Sequence, residues 1–380
     1  MELELDDKHK AFREEVREFA KTVVAPKAKE IDETGKFPWY TWKEMGARGL
    51  LGIPFPKKYG GAGLDTLSYA IACEEISRVC GSTGITLAAH VSLGSYPIYL
   101  CGTEEQKQKF LTPLAKGEKI GSFGLTEPNA GSDAAAIETT AKLVGNKYII
   151  NGTKRFITSG GIADTIVFTA TQDKTKGVHG ISAFIVEKGT PGFSPGKDED
   201  KLGLRGSVTS ELIFEDCEIP RENLLGKEGE GFKIFMLTLD GGRISIGAMA
   251  LGIAQAALDA SIKYVREGSQ FGKPLKKSQL IQKLIADMAT EIAAARHLIY
   301  HAAKLEDMGK KFTKEAAMAK LYASEVCMRA TTKAMQIHGV AGLTKQYPVE
   351  RFFRDAKLTE IGEGTSEIQR IVIARQILGR

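Results

Sequence analysis

The chain has 380 residues, 43% of them hydrophobic, and 52 basic against 47 acidic side chains leave a formal net charge of only +5. That length exceeds a usual single domain and predicts two or three parts with a sizeable core. The signs alternate along the chain and no dense Lys/Arg block with interleaved aromatics occurs, so a nucleic-acid partner is not expected.

The opening Met1–Asp7 is acidic and lacks the pattern of a secretory signal or a transit peptide. From Lys8 to about Lys119 the spacing is helical: Phe12, Val16, Phe19 and Val23 mark one amphipathic face, and Ile71, Glu74, Glu75 and Ile76 lie in another. Tyr59-Gly60-Gly61-Ala62-Gly63 has no strand before it and no phosphate-loop spacing, so it reads as a connection. Even the apolar run from Ile85 to Leu100 is broken by His90, serines and Pro97, and no membrane insertion is expected. The five cysteines, at 73, 80, 101, 217 and 327, form neither a CxxC pair nor a metal-type cluster. A reduced, cytoplasmic setting without a metal site fits them.

Between Ile120 and about Leu225 the period shortens to β-rich runs separated by turns. Ala141–Val144 and Tyr148–Ile150 flank Gly145-Asn146, a hairpin turn pair. Runs at 166–169, 181–186 and 211–214 continue the series with no helix-length segment between them, which predicts an antiparallel, barrel-like sheet. Helical spacing returns from about Glu230, over 232–266, 279–308, 313–338 and 365–378, and predicts a four-helix bundle. The expected fold is therefore mainly α with a central β domain: an N-terminal α-helical domain (1–119), a middle β domain (120–228) and a C-terminal bundle (229–380). The α, β, α order excludes a doubly wound dinucleotide-binding sheet.

Three segments are candidates for chemistry. Ile361-Gly362-Glu363-Gly364-Thr365-Ser366-Glu367-Ile368-Gln369-Arg370 leaves one acid between two glycines, just before a helix that Thr365 or Ser366 can cap and whose Ile368, Ile371, Val372 and Leu378 are expected to face a core. Taken alone, Glu363 reads as a solvated loop acid. Phe123-Gly124-Leu125-Thr126-Glu127-Pro128-Asn129-Ala130-Gly131-Ser132-Asp133 offers backbone and hydroxyl donors to a phosphate or a polar ring edge, although such a turn is commonly only a turn. In Lys154-Arg155-Phe156-Ile157-Thr158-Ser159-Gly160-Gly161, Phe156 and Thr158 share one face of a strand, so the ring can stack on a flat ligand while the hydroxyl bonds its edge.

In order and spacing these segments resemble the acyl-CoA dehydrogenase family over essentially the whole chain. The likeness extends to LDGGR at Leu239–Arg243, QFGKPL at Gln270–Leu275, QIHG at Gln336–Gly339 and RFFRDAK at Arg351–Lys357. It implies bound FAD, an acyl-CoA substrate, electron transfer flavoprotein as acceptor and a homotetramer. Glu363 matches the catalytic base, which removes an α-proton while the β-hydrogen leaves as hydride. Phe123, Leu125, Thr126, Ser132, Phe156, Ile157, Thr158, Phe271, Thr365, Ser366 and Glu367 match FAD-binding positions. Gln279 and Gln336–Gly339, including Ile337, match contacts made to FAD across a subunit interface. Ser132, Asp240, Arg243 and Gly364 match substrate-binding positions, Arg243 being otherwise an ordinary salt-bridge residue.

Isovaleryl- and long-chain-like members carry their base immediately before the Arg of the LDGGR segment, where this chain has Gly242. The resemblance thus points to short-chain or 2-methyl-branched dehydrogenases, and the absence of an arginine near Gly84 disfavours a dicarboxylic substrate. The implied reaction is oxidation of a short saturated acyl-CoA to its trans-2-enoyl product. A 2-methyl-branched or alicyclic acyl group, or a family member in a non-catalytic role, is the alternative. Three positions depart from the family pattern: Phe156 replaces a Trp, Gly268 replaces an Arg that binds the FAD pyrophosphate, and Gly339-Val340-Ala341-Gly342 replaces a double glycine followed by an aromatic.

Overall fold

The computed structural model describes residues 5–379; Met1–Glu4 of the acidic opening, and Arg380, lie outside the described residues. Within them the chain runs α, β, α. The first part holds helices α1 (Asp7–Phe19), α2 (Ala28–Thr34), α3 (Trp39–Ala47), α4 (Thr66–Ser77), α5 (Gly81–Ala88), α6 (Tyr96–Cys101), α7 (Glu104–Gln106) and α8 (Thr112–Ala115). Asp6 caps α1, its side chain accepting the His9 N–H at 2.9 Å, and Val16 and Phe19 fall on the buried face. α4 buries Glu74 and Glu75 along with Ile71 and Ile76. Arg17 donates to both oxygens of Glu75 at 3.1 and 2.9 Å, and Arg296 grips Glu74 Oε1 through two nitrogens at 3.0 and 2.9 Å. Buried carboxylates left without such partners cost about 3–5 kcal/mol, so these pairs fasten the N-terminal helices to one another and to the C-terminal ones. The glycine-rich connection is a packing device: a Cβ on Gly61 would stand 2.1 Å from the Phe55 carbonyl oxygen.

Strands β1 (Gly121–Gly124), β2 (Thr140–Val144), β3 (Lys147–Thr158), β4 (Thr165–Thr171), β5 (Ile181–Glu187), β6 (Phe193–Asp198), β7 (Thr209–Pro220) and β8 (Leu224–Leu225) make one sheet in the order β6-β7-β3-β2-β4-β5-β8, with β1 also on β4. β2 and β3 pair antiparallel around the turn, where Gly145 has φ +59°. Two contacts are parallel, β1 with β4 and β2 with β4 at Thr140–Thr171. The β2–β3 hairpin lies between β1 and β4 in the chain and returns it to β4 in the direction of β1. The sheet path has two ends, so no barrel closes among the described residues.

The last part contains α9 (Gly231–Glu267), α10 (Gln279–Asp307), α11 (Thr313–His338), α12 (Val349–Ile361) and α13 (Ser366–Leu378). Four of these are the helices the spacing predicts; α12, carrying RFFRDAK, is a fifth that the sequence left without an element. It buries Val349, Phe352 and Ala356 on one face. By length and composition α9 is apolar enough to cross a membrane, unlike any run singled out from sequence, yet most of its apolar stretch is packed inside the protein. α13 corrects another expectation. Ile371 and Leu378 face outward and its buried residues are Ser366 and Gln369, because its inner side closes on backbone around Glu363 that needs polar partners.

Candidate active site

α12 ends at Ile361 and α13 begins under a Thr365 cap, whose Oγ1 accepts the Ile368 N–H at 3.3 Å. Between them Glu363 adopts φ +55° and Gly364 φ +92°. A left-handed glutamate costs on the order of 1–3 kcal/mol, and its surroundings hold it there. Lys320 Nζ of α11 donates to the Gly364 carbonyl at 2.7 Å, and Gln369 Nε2 donates to the carbonyls of Glu363 at 3.1 Å and Gly364 at 2.9 Å. The turn drives the carboxylate inward, where both oxygens are buried without a hydrogen-bond partner. It lies against α9: a Cβ on Gly242 would stand 2.4 Å from Glu363 Oε2 and 3.1 Å from Leu93 Cδ2. Gly242 is therefore the space that the carboxylate occupies, and a side chain there is incompatible with Glu363 in this position.

Burial pushes the Glu363 carboxyl up to about 8, with Lys320 and Arg243 pulling it back. Burial likewise brings the Lys320 ammonium down to about 8, while Glu363 favours its charged form. Arg243 is not free to reach outward: it is buried and paired with Asp240, whose other oxygen accepts from Thr313 Oγ1 at 2.7 Å. Beside them burial raises Glu306 to about 7, and Tyr96 donates to it at 3.0 Å.

Leu93 comes from Ala89–Ser95, a π-helical turn joining α5 to α6 that sequence spacing could not place. Such turns widen a helix and re-aim its side chains. Behind it Tyr69, Cys73, Ser92 and Ser245 are buried. Ser92 and Ser245 share a 3.1 Å hydrogen bond, Ser245 donates to the Gly242 carbonyl at 2.9 Å and Tyr69 to that of Ala88 at 2.9 Å. Burial raises both the Tyr69 hydroxyl and the Cys73 thiol, and the charge of nearby Glu363 adds to each.

The two β-part segments assemble next to this site. A Cβ on Gly94, adjoining Leu93, would fall 2.5 Å from the Gly121 carbonyl carbon, so β1 lies directly against the π-helical turn. Phe123 stacks on Phe235 of α9, ring centres 4.1 Å apart, and Phe235 precedes Gly242 by two turns, roughly 10 Å. The Arg155 N–H donates to the Thr126 carbonyl at 2.8 Å, Ser122 Oγ to that of Thr158 at 2.6 Å, and the buried Lys154 ammonium meets the buried Glu127 carboxylate at 2.6 Å. The expected strand alternation breaks here. β3 slips register between Lys154 and Ile157, with Phe156 at φ +58°, so Ile157 turns into the core and Phe156 is left 55% exposed. Ser132 and Glu367 are exposed, and Ser366 Oγ is buried without a partner. An open aromatic face on a strained backbone, carbonyl-linked loops and an unspent hydroxyl beside a buried acid fit a planar cofactor with hydrogen-bonding edges.

The remaining candidates lie at the other end of the bundle. Gln336 is sixteen residues beyond Lys320 on α11, roughly 24 Å away. There Tyr264 packs on His338 with ring centres 4.3 Å apart and joins the ends of α9 and α11. Gln279, Gln336 and Gly339 are exposed, and Phe271 is fully exposed at φ +50°. Ile337 is buried in the chain's own core. Gly268 has an ordinary backbone, but a Cβ there would press Leu275 Cδ1 at 2.6 Å. Lys320 and Leu93 lie outside the segments singled out in sequence, while Gln369, Lys154 and Glu127 lie inside them without an assigned role. For Lys320 the signal was a lysine within the apolar run Ala316–Ala323.

The fold thus seats a desolvated carboxylate between α9, α11 and the turn from α12 to α13, an arrangement suited to a base in an enzyme's site. Residues 6–118, 122–217 and 229–378 match the N-terminal, middle and C-terminal domains of acyl-CoA dehydrogenases. The short-chain specific acyl-CoA dehydrogenase of Clostridium acetobutylicum is 57% identical over 99% of this chain and 100% of its own. Butyryl-CoA dehydrogenase from Megasphaera elsdenii superposes with a TM-score of 0.97 at 49% identity, covering all of both chains. A chain in a structure of the electron transferring flavoprotein of Acidaminococcus fermentans gives 0.98 at 55% identity, again over both chains. The chain belongs to the acyl-CoA dehydrogenase family of oxidoreductases, whose cofactor is FAD.

Proposed function

We propose that the protein oxidises a short saturated acyl-CoA to the trans-2-enoyl-CoA, with Glu363 as the base. The observation that carries this is the Glu363 carboxylate, buried, unpartnered and seated in the space that Gly242 leaves. An acid screened from water is a stronger base than a solvated one, and an α C–H beside a thioester requires that strength. The α-proton passes to Glu363 as the C–H pair moves into the new double bond. The FAD held by the site's residues would supply the acceptor for the β-hydrogen, which leaves as hydride. The left-handed turn that Lys320 and Gln369 hold sets the Glu363 N–H as donor to the thioester carbonyl, where enolate-like charge develops. Phe156, Thr126, Thr158 and Ser366 would hold the flavin, and the Asp240–Arg243 pair would form a polar wall of the substrate path.

The hydroxyl-bearing cluster of Tyr69, Ser92 and Ser245 supports a short acyl group, since a long tail would have to displace residues that are already buried and bonded to one another or to backbone. Likeness to the Acidaminococcus chain supports electron transfer flavoprotein as acceptor. Exposed Phe271, Leu280, Val340 and Leu343 around the distal candidates support a homotetramer in which Gln279 and Gln336 reach a neighbour's FAD. A cytoplasmic setting fits this chemistry. Glu363→Gln is expected to keep its flavin while kcat/KM falls by about 10²–10⁴. Full turnover by that variant would remove Glu363 from the role of base.

A further inference from the structure

Successive side chains of a strand point to opposite faces, so Arg155 and Phe156 of β3 ought not to meet. They do: the Arg155 guanidinium carbon lies 4.8 Å from the centre of the Phe156 ring. The backbone brings them together. Phe156 stands at φ +58°, and the pairing of β3 with β7 slips between Lys154 and Ile157, which turns the ring back toward its neighbour's side chain. Both ends of Arg155 are then fixed. Its backbone N–H donates to the Thr126 carbonyl at 2.8 Å. Its Nε lies 3.5 Å from Glu199 Oε1 and 3.7 Å from Glu211 Oε1, half-buried carboxylates just beyond β6 and on β7.

A cation over an aromatic face is attracted to the ring and restrains it. With the guanidinium braced by two carboxylates, the Phe156 ring is held from one side and yet stays largely exposed, so a second face is open to a ligand. A phenyl ring is also smaller than the Trp of the family pattern, and a flat cation behind it restores breadth that the exchange removes. We infer that Arg155 is a positioning residue for the cofactor: braced by Glu199 and Glu211, its guanidinium backs the Phe156 ring and holds it against the flavin. Arg155 acts through Phe156 and not on the substrate. The inference rests on the placing of Phe156 at the flavin proposed above.

The test is the rate at which diluted holoenzyme releases FAD, read as the rise in flavin fluorescence, in the wild type, Arg155→Ala, Phe156→Leu and the double variant. Arg155→Ala is expected to speed release about three- to fivefold, the range of a cation over a partly exposed ring, and to add almost nothing in the Phe156→Leu background. Equal acceleration in both backgrounds would mean that Arg155 only braces the sheet, and overturns the inference, as does an unchanged rate in Arg155→Ala. Release from Phe156→Leu at the wild-type rate would take Phe156 off the flavin, and the inference with it. If Phe156→Leu is isolated without flavin, Arg155→Lys decides, because it keeps the charge beside Glu199 and Glu211 without the flat face. Its release is expected to be about twofold faster than wild type or more, and a wild-type rate contradicts the inference. None of these rates depends on turnover, so a flavoprotein that fails to oxidise butyryl-CoA would overturn the dehydrogenase reading and leave this one in place.

Discussion

At the scale of single residues, the site depends on how Glu363 and Lys320 set each other's charge. Because kcat/KM reports ionisation of the free enzyme, and the base acts only when deprotonated, the profile is expected to rise through pH of about 8 and then level off. Lys320 favours the ionised carboxylate, so Lys320→Met raises the Glu363 pKa further and moves the rising limb to higher pH; a limb that stays or moves to lower pH would contradict this. The sequence showed Glu363 through the two glycines around it, but those glycines alone suggested a solvated acid. Its burial depends on Leu93 and Gly242, more than a hundred residues away in sequence, and its charge on Lys320 of α11, none of which a local pattern records. Arg243 shows the same limit. Its motif suggested a ligand contact, and the fold adds a buried partner in Asp240 that the motif did not record.

At the scale of elements, α9 is the ruler on which the site is laid out, with Phe235 stacked on the β-part and Gly242 under the carboxylate two turns later. Adjacent glycines inside a helix cost roughly 1 kcal/mol each, so Gly241 and Gly242 weaken α9 at the place where Glu363 needs room. Gly242→Ala should push the carboxylate off its position and lower kcat/KM by about a hundredfold, the scale of an ångström's misplacement, while absorbance spectra show flavin still bound. Unchanged kinetics would mean that the carboxylate sits elsewhere in solution. The long helices were readable because periodicity over many turns outweighs local noise. α12 was not, since arginines, an aspartate and a lysine interrupt its short apolar stripe, nor was the slip around Phe156, which a backbone at positive φ produces against the alternation of the strand.

At the scale of the whole molecule, the chain carries two clusters of candidate flavin residues roughly 24 Å apart along α11, one beside the base and one at an exposed apolar end. If the two clusters hold one flavin from neighbouring subunits, as proposed, cofactor retention requires assembly. Phe271→Asp is expected to break the oligomer into smaller species by light scattering and to lower the flavin-to-protein absorbance ratio; a full-size assembly with its full flavin would contradict that. The α, β, α order was legible from the change of period along the chain. How its parts meet was legible only through family likeness, because the buried Glu74, Glu75, Glu127 and Lys154 that join segments look like surface charges in sequence. The most direct test of the account is anaerobic addition of butyryl-CoA to the purified flavoprotein, followed by its visible spectrum. Rapid bleaching of the flavin in the wild type, and none in Glu363→Gln, is the result predicted; a wild-type flavin that stays oxidised, or a variant that bleaches equally fast, would contradict it.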